Sequence, residues 1–421
     1  MPILERLLLE TAAAWEKAGK AHGEIRPVLG AVDETFLQRM LLVFMALCSG
    51  YVLREEVAAD RGFDTWDGGV NDRLKMLGPE VLSRVRARAK ALITLAHTGR
   101  GCLSIPDVLH LSHDLAKGYS LASFGRLRQA TRALDQATQR LETVQHNAQA
   151  DRAQVAQGQT RVAACATSVH PWQGGRGAWK EHLSHVSRLL HPWRLADATR
   201  QTSKEVEEQL GAELQAIETL LETNGLPMQR DILHKVRKPL AGIAALGDVW
   251  WQTVPQDVAQ RAMPPRWIPW ADEVLLPLMD WHEPRRRTRC PGQKAQLALG
   301  LQAVAEAFER HACPGQLKAE VLADWKAWAA EHVRAFQRAS SAVEGRHGSL
   351  SQMQHNHRGF PLRRSQGWTA LHHFDCRAAD GTTPASQFFR RSFPDLFESG
   401  LSQIDELPVS RQRRQVLALS D

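Results

Sequence analysis

The sequence predicts an α/β domain built on a mixed sheet and interrupted by a large all-α insertion. Three observations predict it. Three short apolar runs follow one another near the start, helical and strand-like patterns then alternate, and a long heptad repeat begins at Leu121.

Residues 2 to 20 carry Leu4, Leu7, Leu8, Ala12 and Trp15 on one side, the spacing of an amphipathic helix. Gly23 and Pro27 end that pattern. Val28 to Val32 is a first strand, reaching Asp33 at its end. Leu41 to Cys48 is a second and Tyr51 to Val57 a third, and the Ser49-Gly50 pair between the last two suits a hairpin. Trp66 to Leu77 reads as helix, Val81 to Val85 as strand, Ala87 to Ala96 as helix, and Cys102 to Pro106 as a last strand before a helix from Val108. The ribonuclease-H-like fold has this order of elements, and so do other α/β folds.

From Leu121 to Gln157 the chain changes character. Leu127, Leu134, Leu141, Ala148 and Val155 repeat every seven residues, with Ala130, Ala137 and Val144 three positions after the first members, as in a coiled-coil seam. Ser203 to Thr223 is a second amphipathic helix, and the turn formers of HPWQGGRGAW (170 to 179) predict a helical hairpin between them. Trp250, Trp251, Trp267, Trp270 and Trp281 are interspersed with prolines. They precede Arg285, Arg286, Arg287 and Arg289, a combination that either contacts DNA or divides into buried rings and a solvated basic face. Further helices are expected over 294–312 and 316–354, then a loop-rich basic tail. The expected domain plan is an N-terminal helix (1–24), a first part of the sheet domain (25–120), the helical insertion (121–315), a last helix of the sheet domain (316–357) and the tail (358–421).

Composition narrows the function classes. In 421 residues, 53 Lys and Arg against 46 Asp and Glu leave a net charge of +7, an excess that suits a nucleic-acid partner without requiring one. Six cysteines occur with no C-x-x-C pair and no His at zinc-ligand spacing, which predicts reduced thiols. The start is a charged amphipathic helix with no apolar signal core, and the apolar run LLVFMALC is too short to span a bilayer. A cytoplasmic protein without a membrane partner is expected.

Two acids draw attention. Asp33 closes a buried strand in GAVDETF, where a carboxylate is costly unless solvated, paired or bound to a cation. It serves equally well as a turn or cap residue. Glu344, in SSAVEGRHGSLSQM, lies on the last long helix, where an exposed glutamate is the ordinary case. Metal-assisted phosphoryl transfer needs carboxylates of this kind, because hard divalent cations take oxygen ligands.

The stretches GEIRPVLGAVDETFL and SGYVLREEVAADRGFDTW resemble the start of the catalytic domain in a group of DDE-type insertion-sequence transposases. SSAVEGRHGSLSQMQHNHRG and WTALHHFDCRAADGTTPASQFFRRSFPDLF resemble its end. The resemblance implies a ribonuclease-H-like mixed sheet with a helical insertion before the last acid. It also implies cleavage and strand transfer at the ends of a mobile element, Mg2+ or Mn2+ as cofactor, and DNA as partner, with oligomers on DNA. Asp33 matches the first acid and Glu344 the last. The segment RARAKALITLAHTGRG resembles a block that places Ser-Asp directly before Arg-Ala-Lys-Ala-Leu, and here Arg86 and Ala87 hold those two positions. The second acid is therefore missing, with Asp107 as its candidate substitute. Arg346, two residues beyond Glu344, joins the Arg285–Arg289 run as a DNA-binding candidate. Complete members carry a DNA-end-binding helix-turn-helix ahead of the catalytic domain, and this chain begins about 30 residues before Asp33. The resemblance then implies either a shortened copy or end recognition supplied by another polypeptide. A non-catalytic DNA-binding remnant, or a scaffold that self-associates through the Leu127–Val155 seam, are the competing readings.

Overall fold

The computed structural model describes the chain apart from residues 1, 26, 38, 87–102, 148, 150, 195–197, 227–229, 261–262, 288–290, 335, 337–340, 357–361, 379 and 405–421. Two compact units form, one from Met1–Ser104 with Ala339–Asp421 and the other from Ile105–Arg338.

The first unit opens with α1 (Pro2–His22), followed by β1 (Val28–Phe36), β2 (Met40–Ala46), β3 (Tyr51–Ala58), α2 (Phe63–Leu77), β4 (Val81–Arg86) and β5 (Leu103–Pro106). The sheet order is β3-β2-β1-β4-β5. β1, β2 and β3 are antiparallel neighbours, and β4 runs parallel to β1. The expected mixed sheet is therefore present. Gly50, at φ +72, lets the β2–β3 connection turn in a conformation that a side chain resists, and its N–H closes onto the Ala46 carbonyl at 2.8 Å. β1 is longer than its apolar run. It continues past Asp33 to Phe36, which pairs with Met40, so Asp33 sits inside a strand and not at its end. The helix expected over Ala87 to Ala96 lies outside the described residues.

The second unit is helical: α3 (Val108–His146), α4 (Arg152–Leu189), α5 (Ser203–Thr223), α6 (Arg230–Arg237), α7 (Leu240–Ala244), α8 (Leu246–Gln260), short turns between Pro265 and Leu275, α9 (Leu276–Arg287), α10 (Pro291–Arg310), a short helix at Ala312–Gln316, and α11 (Ala319–Arg334). The expected insertion is thus real, but it begins near Ile105 and ends near Arg338, not at 121 and 315. A hairpin is also present, with its turn elsewhere. α3 ends at His146, and α4 starts at a capping box in which Asp151 accepts from Gln154 N–H while the Gln154 side chain accepts from Asp151 N–H. Contacts between residues 141 and 158, and between 119 and both 175 and 179, fix the antiparallel register of the two helices on either side of the connection from His146 to Arg152.

The segment 170–179 is helical throughout, although it holds Pro171 and three glycines. Packing explains it. Trp179 is buried and stacks on Tyr119 with ring centroids 4.6 Å apart. A Cβ on Gly175 would stand 2.7 Å from Tyr119 Oη, so this glycine permits close helix approach where the sequence suggested a turn. Of the heptad residues of α3, Leu141 packs against Gly158 of α4 within this same hairpin. The tryptophans of the middle segment are internal as well. Trp193, Trp250 and Trp251 meet edge to face at 5.0–5.2 Å, and Trp267, Trp270 and Trp281 join them in one buried cluster. The bland reading of those rings holds, and their role as a DNA surface does not.

The chain then returns to the first unit with α12 (Ser341–Asn356), α13 (Leu362–Phe374), α14 (Pro384–Phe389) and α15 (Leu396–Leu401). The single helix expected over 316–354 is therefore divided, and the tail expected to be loop-rich is largely helical up to Leu401. The reason is burial. Ala370, Phe374, Phe388, Phe389 and Leu396 complete the core on one face of the sheet, with Leu8 of α1, Trp66 and Val70 of α2, and Val28, Val32 and Phe44 of the strands. No helix among the described residues is long and apolar enough to cross a membrane.

The two neighbouring glycines of α4 separate packing from helix propensity. Gly175→Ala should destabilise the second unit by about 1–3 kcal/mol through overpacking against Tyr119. Gly174→Ala, where nothing lies within 4 Å of an added Cβ, should stabilise it by roughly 0.5–1 kcal/mol. Urea denaturation followed by circular dichroism reads both, and a gain in stability for both variants would contradict the packing assignment.

Candidate metal centre

β1 alternates its side chains across the sheet. Val28 and Val32 enter the core, which leaves Asp33 on the opposite side, where it is only 5% exposed. α12 packs against β1 and β2. Its buried stripe is Val343, Arg346, His347, Leu350 and Gln354, with Glu344 at the border of that stripe and still touched by solvent. Positions 344 and 347 lie one turn apart on neighbouring parts of the helix surface. The result is a convergence of Asp33, Glu344 and His347, whose ligand atoms all lie within 4.8 Å of one another. His347 Nδ1 stands 3.9 Å from Asp33 Oδ2, too far for a hydrogen bond. Its Nε2 is buried with no hydrogen-bond partner. Burial pushes the His347 pKa down, partly countered by Glu344 and Glu55, so the ring is neutral at neutral pH and offers a lone pair.

One contact fixes how α12 meets the sheet. Arg346 donates from Nε and Nη2 to the two carboxylate oxygens of Glu55 on β3, at 2.7 and 2.9 Å. Thr369 of α13 adds a hydroxyl to the same carboxylate at 2.8 Å. The two charged side chains are 3% and 2% exposed. This corrects the assignment of Arg346 to DNA: its guanidinium is buried and donates to Glu55 and to the Thr369 hydroxyl. Arg285, Arg286 and Arg287 fall on α9, and Arg289 follows it; their side chains lie outside the described residues.

A family model described as a family of unknown function (DUF6399) matches residues 271–416. No curated protein matches the chain. The matched stretch holds Glu344, Arg346, His347 and Thr369 and does not reach Asp33.

The structure thus brings together the two acids singled out in the sequence. Asp107 is buried after β5 in the second unit and is not a member of the group. Ala87 lies outside the described residues. Arg86 ends β4 opposite Val32, one residue short of Asp33. His347 was not singled out in the sequence. The signal for it was the Glu-x-x-His spacing in VEGRHG, which places two ligand types on one side of a helix. His372 and His373 of α13 support the sheet edge. His372 Nε2 meets the Gly50 carbonyl at 2.8 Å, while His373 Nε2 accepts from Val52 N–H and its ring stacks on Tyr51. Burial holds both below their ordinary pKa, His373 well below it.

Two outcomes follow from this geometry. Arg346→Ala leaves the Glu55 carboxylate buried without its partner and should cost about 3–5 kcal/mol, read by urea denaturation; a loss below about 1 kcal/mol would place the pair in solvent-like surroundings. Stability should also depend on pH. His347, His372 and His373 have depressed pKa values in the folded chain, so below about 6.5 the unfolded chain takes up protons that the folded chain refuses. Unfolding free energy should therefore fall as pH drops from about 7.5 to about 5.5. A flat profile across that window argues against neutral, buried rings.

Proposed function

We propose that the protein is a DDE-type transposase-like protein whose first unit is a ribonuclease-H-like domain. It binds one divalent cation at Asp33, Glu344 and His347, and its metal-dependent cleavage and strand transfer on DNA are lost through position 87. The observation that carries this reading is the convergence of Asp33 and Glu344, residues far apart in the chain that the sequence resemblance names as the first and last acids. The strand order, with three antiparallel strands and a fourth running parallel to the first, supports the same reading.

The residues fit a cation. Metal–ligand bonds of about 2.0–2.2 Å let one ion span donors roughly 4 Å apart, close to the separation found here. A neutral imidazole with a buried, unpartnered nitrogen suits ligation, and the mix of two carboxylates with one imidazole favours Mn2+ over Mg2+. A bound cation would polarise a phosphodiester oxygen or activate water. The protein's own groups hold and orient it: Asp33 from the sheet, Glu344 from the solvent side, and His347 from within the core.

A pair of metal ions needs more carboxylate than two residues supply. The resemblance puts the second acid at position 87, where a carboxylate would complete a two-ion set. Alanine stands there, preceded by an arginine whose charge opposes a cation.

Mn2+ titration by electron paramagnetic resonance should show one bound ion per chain, with affinity reduced about tenfold or more in His347→Ala and in Glu344→Gln. A strand-transfer assay on the element's ends should find the parent inactive and activity gained on Ala87→Asp with Arg86→Ser. Robust cleavage by the parent would refute the loss of activity, and failure to bind Mn2+ would refute the cation site.

A further inference from the structure

The α3–α4 hairpin carries charge in a pattern that its own packing does not use. Between Leu115 and Leu134 of α3 there are four basic residues and no acid, and between Arg152 and Lys180 of α4 there are again four and none. A solvated helix ordinarily places acids four residues from its bases. α5 does so, with Lys204 set against Glu208. On the hairpin, Arg128 and Arg132 stand one turn apart, both exposed, with no ion pair among the described residues. Like charges at that spacing repel.

These two arginines border a groove of about 400 Å³ lined by Phe124, Leu127, Arg128, Thr131, Arg132 and Arg176. Arg176 reaches it from α4 and lies over the Phe124 ring at 4.9 Å. Phe124 is itself 36% exposed, and Leu121, one turn before it, is 75% exposed. Three guanidinium groups around one concave surface, with a partly exposed aromatic ring and no acid among the lining residues, match the chemistry of a phosphodiester backbone. Guanidinium groups pair with phosphate oxygens, and the ring gives apolar contact to sugar or base.

We propose that this groove is a DNA-backbone site, and that it supplies the basic surface sought in the Arg285–Arg289 run. The inference stands on the second unit alone and does not depend on the cation centre. The engagement is electrostatic and independent of base sequence, and it relieves the repulsion between Arg128 and Arg132.

The test is fluorescence anisotropy of the full chain with a labelled DNA duplex of random sequence, in EDTA, over a range of salt. Arg128→Glu with Arg132→Glu should weaken binding at least about tenfold and reduce the slope of log affinity against log salt by about 2. Arg140→Glu with Arg161→Glu makes the same change of charge on the same hairpin outside the groove, and it should weaken binding by no more than about threefold. Arg128→Gln with Arg132→Gln, which adds no acid, should show an intermediate loss with unchanged circular dichroism. Equal losses in the groove pair and the outside pair would reduce the effect to net charge and overturn the proposal. Unchanged affinity in the groove pair would overturn it as well. Because EDTA removes divalent cations, failure of the Asp33 site leaves this result untouched.

Discussion

The first unit depends on one buried ion pair. Arg346 and Glu55 come from a helix and a strand separated by most of the chain, and they meet as a bidentate pair out of water. Such a pair contributes little net stability, because desolvation offsets the attraction. Its value is directional. Two parallel hydrogen bonds fix both the position of α12 along the sheet and its rotation about its own axis. Rotation is what matters to the candidate centre, since Glu344 lies two residues before the arginine and His347 one residue after it. A rotation by one residue, about 100°, would take His347 away from Asp33. Thr369 ties α13 to the same carboxylate, so three elements share a single reference point.

Much of the sheet was legible in the sequence, because strand signals there are local. Apolar runs with sharp ends, a Ser-Gly turn and a helical pattern between strands define the order β1 to β5 with boundaries off by a few residues. Asp33 and Glu344 were legible as well, since a carboxylate inside an apolar strand is conspicuous and the surrounding blocks resemble a known family. Arg346 was misread for a physical reason. An arginine next to a candidate metal ligand looks the same in sequence whether it faces solvent or a buried glutamate, and Glu55 is too distant in the chain to show which. His347 had a signal in its i, i+3 spacing from Glu344, which is weak without the strand that faces it.

The helical insertion exposes a different limit. Glycine and proline mark turns when only the chain's local preferences are considered. In α4 they lie within a continuous helix, because the energies that decide are tertiary. Pro171 forfeits a helix hydrogen bond, while Trp179 stacking on Tyr119 and the close approach at Gly175 gain packing that local rules do not register. The true turn had a readable mark in Asp151 and Gln154, a capping pair at the start of α4, but the heptad pattern ran straight across it. Periodicity shows which side of a helix is apolar and does not show where the helix stops.

On the proposed reading, the two units divide the demands that a DNA-processing protein faces. Cation binding needs acids brought together and shielded, which places negative charge in a cleft where a phosphodiester is repelled unless cations intervene. Backbone binding needs the reverse, positive charge spread over an acid-free surface. On the proposed reading the chain separates these demands by sequence segment: Asp33 and Glu344 lie on the sheet unit, while the hairpin excludes acids from the stretches that line its groove. On that reading, loss of the second acid at position 87 removes one function without touching the other. On the same reading, a chain that no longer cleaves would still carry a surface able to hold DNA, which gives the damaged enzyme and the DNA-binding remnant a common physical basis.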